Sequence, residues 1–230
     1  MARSTIVIAT PHARHDHLEQ RVRHDLPDYD VVRIWARADL TFNTLEQIKP
    51  VFVFFPHWSW LIPEDVYSGF DCVIFHMTDL PYGRGGSPLQ NLIVRGNCDT
   101  RLSAFKCVKE LDAGPVYLKR QLSLQGTAEE ILQRAADLTR EMIVELVKKR
   151  PAPLPQKGDV VEFKRRRPED GDLSRLGELK QMYDHIRMLD AVGYPHAFLK
   201  TGSFQLEFSE ARMDEEFVEA KVRIRRMFNE

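Results

Sequence analysis

Apolar residues in the first half of the chain follow two alternating rhythms. Strands are marked at Thr5–Thr10, a buried apolar stretch, and at Tyr29–Trp35, which is rich in Val and Ile. The clearest run is Val51-Phe52-Val53-Phe54-Phe55, which Pro56 ends. A run with no polar alternation suits a strand buried on both faces of a parallel sheet. Between the runs, apolar residues fall at helical spacing. Asp16–Asp25 carries Leu18 and Val22, with Leu26 just beyond, and Thr44–Ile48 stops at Lys49-Pro50. Cys72–Phe75 is a further short strand. Pro88–Arg95 is a helix opened by proline and closed by Gly96. Arg101–Val108 and Val116–Leu122 are two more strands. Thr127–Lys149 is the clearest helix, opened by the capping box Thr127/Glu130 and striped by Ile131, Ala135, Leu138, Met142, Leu146 and Val147. Strands alternating with helices predict an α/β domain with a mostly parallel, Rossmann-like sheet over residues 1–150.

Pro151-Ala152-Pro153-Leu154-Pro155 then interrupts the pattern as a stiff, extended connector. Residues 151–230 read as a smaller α+β annex. Its helix is expected over Leu173–Leu189. Its antiparallel strands are expected at Ala197–Lys200, Phe204–Phe208 and Phe217–Ile224, with Gly202-Ser203 as a hairpin turn.

Composition narrows the function classes. The 230 residues hold 33 Lys and Arg against 34 Asp and Glu, a formal net charge of −1. That balance speaks against a dedicated nucleic-acid binder and against a polybasic membrane anchor. No apolar run is long enough to span a bilayer, and the N-terminus passes directly into the first strand. Cys72, Cys98 and Cys107 form no close pair and no zinc spacing. They suit a reducing compartment, so a cytoplasmic protein is expected, with no metal.

The chemistry concentrates in one segment, Phe75-His76-Met77-Thr78-Asp79-Leu80-Pro81-Tyr82-Gly83-Arg84-Gly85-Gly86-Ser87-Pro88. His76 sits where a strand runs into a glycine-rich loop, the end of a parallel sheet where ligands bind. Arg84 offers a planar fork for phosphate or carboxylate. Neither a G-x-G-x-x-G nor a P-loop is present. Downstream lies Lys109-Glu110-Leu111-Asp112-Ala113-Gly114-Pro115, on its own a plain turn. Together the two segments resemble the formyltetrahydrofolate-dependent formyltransferases. His76, Thr78, Leu80, Pro81, Arg84, Gly85 and Pro88 fit that family's order, and Asp112 and Gly114 follow at its spacing. Trp60-Leu61-Ile62-Pro63 resembles the family's folate-lining segment. The resemblance covers residues 1–150, with a weaker echo at Ile186-Arg187 and Tyr194–Phe198. One position departs: the family's Asn, two residues before the His, is Ile74 here.

The resemblance implies 10-formyltetrahydrofolate as donor and a primary amine as acceptor. His76 and Asp112 would move the proton. His57 reads either as the donor that replaces the missing Asn or as a strand-end surface histidine. Trp58, Trp60, Leu61 and Ile62, with Lys109, Glu110 and Leu111, would hold the folate. Thr78, Arg84, Gly85, Gly86 and Ser87 would grip the acceptor, and Arg187 and Tyr194 would reach its nucleotide. Within the family, the loop resembles most closely the nucleotide-sugar branch, of the pseudaminic acid type. A UDP-linked 4-amino sugar is therefore the expected acceptor, in surface-polysaccharide synthesis. The annex carries 14 Lys and Arg against 15 Asp and Glu. That balance counts against a tRNA acceptor, and the run Lys164-Arg165-Arg166-Arg167 reads as a solvated linker face. Alternatives are a formyltetrahydrofolate hydrolase, a formyltransferase for another small amine, and an inactive folate- or nucleotide-sugar-binding module. The annex strands could pair across a two-fold axis in a homodimer.

Overall fold

A computed structural model describes residues 3–227. The chain opens with β1 (Ser4–Ala9), α1 (Leu18–Asp25), β2 (Tyr29–Ile34), α2 (Phe42–Ile48) and β3 (Pro50–Pro56). There follow α3 (Glu64–Gly69), β4 (Cys72–His76), β5 (Tyr82–Gly85), α4 (Pro88–Val94), β6 (Asp99–Lys106), β7 (Val116–Ser123) and α5 (Ala128–Lys149). The remainder is β8 (Val161–Phe163), α6 (Leu179–Arg187), β9 (Ala197–Thr201), β10 (Phe204–Met213) and β11 (Val218–Arg226).

Six strands form the main sheet in the order β2-β1-β3-β4-β6-β7. The first four are parallel, with Val7 opposite Val53 and Phe55 opposite Ile74; β6 runs antiparallel to β4 and sets Ser103 opposite His76. The strand runs are apolar on both sides because both faces are covered. Ile6, Ile8, Phe54, Val73 and Phe75 pack with Val22 of α1 and Met142 and Leu146 of α5. On the opposite face, Val7, Val53, Phe55 and Cys72 pack with Leu45 of α2 and Val66 of α3. Alternate residues of one strand thus serve two cores, each buried Ile, Leu or Phe contributing roughly 1.5–3 kcal/mol.

The expected elements recur with shifted ends, and four features differ from the sequence expectation. The helix expected over Leu173–Leu189 forms only from Leu179. Leu173 instead donates its N–H to the Phe198 carbonyl beside an isolated bridge at Asp172, and a turn closed by the Leu176 N–H on the Leu173 carbonyl follows. Helix α3 has six residues, too few to display a period. The glycine-rich loop contains a strand, β5, paired with β8 in a separate two-stranded sheet. The Pro151–Pro155 connector is tied down: Leu154 and Val116 exchange backbone hydrogen bonds of 2.7 and 2.9 Å.

The chain divides into two compact units, neither of them continuous. One holds Met1–Gly85, Arg101–Leu122 and Gln133–Glu162; the other holds Gly86–Thr100, Ser123–Leu132 and Phe163–Glu230. A single cut after residue 150 therefore does not reproduce them. In the second unit, β11-β10-β9 form an antiparallel sheet joined by the Gly202-Ser203 turn. Among the described residues, no helix is long and apolar enough to cross a membrane.

Candidate active site

Strand β4 delivers the central side chain. His76 ends it, buried, at the carboxyl end of the parallel strands. Its Nε2 lies 2.8 Å from the Gly83 carbonyl oxygen. A carbonyl only accepts, so Nε2 carries the proton and neutral His76 presents a bare Nδ1. That Nδ1 is 3.8 Å from Asp112 Oδ2. The separation is too long for a hydrogen bond. A proton taken up at Nδ1 would create a charge-assisted pair there.

Asp112 is buried and held from three directions. Its Oδ2 accepts the Gly85 N–H at 2.8 Å. Its backbone sits at φ 52°, in the left-handed region that Asp tolerates better than most residues. Gly114, two residues on, passes the Lys106 carbonyl so closely that a Cβ would come within 1.7 Å of that oxygen. Gln156 closes the arrangement. Its Nε2 donates at 2.8 Å to the carbonyls of both Asp112 and Gly114, and its Oε1 accepts from Arg84 at 2.7 and 3.2 Å. The Arg84 fork, expected to grip a substrate, is thus bonded to Gln156.

Other groups shape the loop between His76 and Gly85. Thr78 is buried; its hydroxyl reaches the Gly83 carbonyl at 3.4 Å, and its own carbonyl accepts the Ser103 hydroxyl at 2.7 Å. Lys119 donates to Asp79 and to the Leu80 carbonyl, each at 2.5 Å. The peptide between Leu80 and Pro81 is cis. Ile74 shares a face with His76 by strand alternation and packs on the core side that holds Trp58 and Ile62. The position of the family Asn is therefore apolar and supplies no donor.

At the end of β3, His57 adopts φ 54° and its ring lies against that of His12, tilted by 44° with centroids 4.3 Å apart. Burial, followed by the charges of His12, Arg14 and His15, pushes its pKa down to about 3, so it is neutral at pH 7. Trp58 and Trp60 follow as an edge-to-face pair 5.0 Å apart. Leu61 is 81% exposed and Leu111 62%, and the buried Trp58 Nε1 has no partner. Lys109 and Glu110 precede Leu111, and the Glu110 carbonyl closes the turn onto the Ala113 N–H.

The remaining predicted residues belong to the second unit. Gly86 and Ser87 begin the turn into α4. The Gly86 N–H bonds to the Phe163 carbonyl, and the Ser87 hydroxyl accepts the Arg166 N–H at 3.0 Å. A Cβ on Gly86 would meet the Arg165 backbone at 2.7 Å. Asn91 donates to the carbonyls of Gly86, Ser87 and Lys164. The run Lys164–Arg167, expected as a free linker face, is thus stitched to the Ser87 turn, with Lys164, Arg165 and Arg167 exposed. Burial and the nearby charge of Arg95 lower the Arg166 pKa. Arg187 is buried. Its guanidinium bonds to Asp184 and to the carbonyls of Leu124 and Gly126, which makes it a structural tie. Tyr194 lines a groove with His196, Phe198 and Arg223.

Sequence reasoning missed Gln156 and Lys119. Gln156 sits one residue after a proline-rich connector, and only its position across from the Asp112 turn reveals it. Among the described residues, no group of three or more His, Cys, Asp or Glu is arranged to hold a metal ion.

Comparison with known proteins bears on this geometry. The family model of the methionyl-tRNA formyltransferase C-terminal domain matches residues 168–225. A solved structure of methionyl-tRNA formyltransferase from Clostridium thermocellum is 45% identical, covers 97% of this chain and 99% of its own, and superposes with TM-score 0.93. The methionyl-tRNA formyltransferase of Thermotoga maritima is 30% identical over 131 residues, 55% of this chain. The chain spans 41% of the length of that curated relative. HypX from Aquifex aeolicus, solved with tetrahydrofolic acid, shares the fold at 20% identity and TM-score 0.74, covering 94% of this chain and 39% of its own. Sugar N-formyltransferase structures match at 19% and 15% identity. The nucleotide-sugar acceptor expected from the loop is overturned by the Clostridium likeness, and with it the pseudaminic acid and polysaccharide setting. The expectation of no nucleic-acid partner rested on net charge alone, and a sum over the chain does not report the local concentration of Lys and Arg beside Ser87.

Proposed function

This chain belongs to the formyltransferase family, and from that premise we propose that it transfers a formyl group from 10-formyltetrahydrofolate to the amino group of methionyl-tRNA. The observation that carries the chemistry is the His76–Asp112 pair, buried at a strand end and aligned by the Gly83 carbonyl and the Gly85 N–H. The Clostridium relative and the exposed basic run beside Ser87 support the acceptor.

The residues after β3 fit a pterin. Trp60 and Leu61 offer apolar surface, and Trp58 Nε1 is a buried donor without a partner in the protein. Leu111 lies in the second segment assigned to it. When bound, the folate supplies the activated formyl carbon.

The chain's own groups then manage the proton. As the acceptor nitrogen bonds to the formyl carbon, it must lose a proton. His76 Nδ1 takes it, and Asp112 stabilises the imidazolium across 3.8 Å. The same proton goes on to the folate nitrogen as its bond to the formyl carbon breaks. Proton transfer of this kind contributes on the order of a hundred- to ten-thousand-fold. With Ile74 apolar, protonated His76 is the group assigned to the charge that builds on the formyl oxygen.

The test is formylation of initiator methionyl-tRNA with 10-formyltetrahydrofolate, read as formylmethionine after deacylation. Formylmethionine formed in proportion to enzyme is the expected result. Formate release that ignores the aminoacyl-tRNA would overturn the transferase reading.

A further inference from the structure

The loop that joins β4 to β5 decides where one proton sits. Neutral His76 carries a single ring N–H. Two acceptors compete for it. The Gly83 carbonyl faces Nε2 at 2.8 Å, and Asp112 Oδ2 faces Nδ1 at 3.8 Å. A carboxylate is by itself the stronger acceptor. The carbonyl wins because it alone is within hydrogen-bond reach. His76 therefore keeps a bare Nδ1, the atom assigned to the acceptor's proton, only while the Gly83 carbonyl holds its place. Gly83 is the second residue of β5. Its position depends on what fixes residues 77–82 ahead of it.

Strand β6 presents two residues of one face to this loop. The Ser103 hydroxyl donates to the Thr78 carbonyl at 2.7 Å, and Arg101 Nε lies 3.6 Å from Asp79 Oδ2. The Tyr82 N–H closes a turn on the Asp79 carbonyl at 3.1 Å. Lys119 reaches that turn from β7, the neighbour of β6 in the sheet. Its Nζ donates at 2.5 Å both to Asp79 Oδ1 and to the Leu80 carbonyl. Strand β8 approaches less closely, with the Val161 N–H 3.4 Å from the Pro81 carbonyl. The Asp79 side chain is 47% exposed and that of Lys119 25%. An ion pair so open to water contributes only about 0–1 kcal/mol to stability. Its geometry matters more: one ammonium holds a side chain and a main-chain carbonyl of the turn that leads into Gly83.

We infer that Lys119 is a positioning residue: it fixes the turn at residues 79–82, and through it the Gly83 carbonyl that keeps the His76 proton on Nε2. Without the ammonium, the turn keeps its Ser103 and Arg101 contacts but loses its tie to the main chain at Leu80. The Gly83 carbonyl then shifts, and the ring proton leaves Nε2 and arrives at Nδ1 by exchange with water, drawn by the Asp112 carboxylate. That tautomer has no lone pair at Nδ1 and cannot take the proton of an attacking amine. Lys119 thus acts through the loop and not on the ring. The kinetic consequence rests on the formyl-transfer reading; the tautomer rests on geometry alone.

Nitrogen NMR of the imidazole rings in the whole chain, at about pH 8.5 and so above the ordinary histidine range, reads the tautomer directly. The His76 signals are assigned by their loss in His76→Gln. In the unaltered protein His76 is expected to carry its proton on Nε2. In Lys119→Met a measurable share of the rings carries it on Nδ1. The kcat for formylation falls roughly tenfold, while the melting temperature stays close to that of the unaltered protein. Lys119→Arg, which keeps a cationic donor for both oxygens, restores the tautomer and most of the rate. A merely structural lysine would move the melting temperature and leave the ring spectrum alone. Lys119→Gln, which loses the charge but keeps a donor, gives the same reading if Lys119→Met does not fold. A proton on Nδ1 in the unaltered protein overturns this role for Lys119. So does an unmoved tautomer in a folded charge-removing variant, or an unchanged kcat beside a moved one. The ring spectrum needs neither folate nor acceptor, so the positioning role and the transferase reading fail separately.

Discussion

At the residue scale, one amide side chain does much of the positioning. Gln156 binds the carbonyls on both sides of the Asp112 turn and fixes Arg84 at its other end. Asp112 itself depends on this because its φ of 52° is not a conformation the free chain prefers. Gln156→Ala should therefore lower kcat while the protein stays folded, since it leaves two carbonyls and a guanidinium to water. Asp112→Asn should fall further, by about a hundredfold or more, because the amide cannot stabilise the His76 imidazolium. Steady-state kinetics with a melting control checks both. A Gln156→Ala loss confined to melting temperature, with kcat intact, would assign Gln156 to structure alone. Little in the sequence marks this residue. His76 and Asp112 were legible from their motif, whereas Gln156 is joined to them only by the path the connector takes across β7.

At the element scale, the chain's local signals were strongest where one side chain closes one hydrogen bond. Thr127 and Glu130 do form the capping box: Glu130 Oε2 accepts the Thr127 N–H at 2.8 Å, and Thr127 Oγ1 accepts the Glu130 N–H at 3.3 Å. Thr127→Ala should destabilise the protein by about 1 kcal/mol, measured as a shift in denaturant midpoint with unchanged slope. The helix expected over Leu173–Leu189 failed at its front for the opposite reason. Its leucines have helical spacing, but the Leu173 N–H finds a strand carbonyl at Phe198, a non-local partner that periodicity does not report. Strand β5 was hidden likewise, since Tyr82-Gly83-Arg84-Gly85 has turn composition and becomes a strand only through pairing with β8.

At the scale of the whole molecule, charge matters by placement. The formal net charge is −1. Yet Lys164, Arg165 and Arg167 stand exposed on a segment bonded to the Ser87 turn, with Arg95 close to Arg166. Replacing Lys164, Arg165 and Arg167 together by Ala should raise KM for methionyl-tRNA more than tenfold and leave kcat nearly unchanged. The salt dependence of binding should flatten, its log–log slope falling by about 0.7–0.9 per lost phosphate contact. Filter binding across a salt series measures this. An unaltered slope would place the tRNA contacts elsewhere.

The amino-acid sequence by itself determined the alternating strands and helices, the parallel core and the motif that carries His76 and Asp112. Each depends on neighbours a few residues apart or on an uninterrupted apolar run. Tertiary structure alone decided how the residue types were used. It bonded Arg84 to Gln156, buried Arg187 as a tie and set the basic run against Ser87. It also gathered His12, His15 and His57 at one strand end. Long polar side chains are placed by partners far away in the chain, and their energies depend on burial and on nearby charge. Spacing along the sequence carries neither.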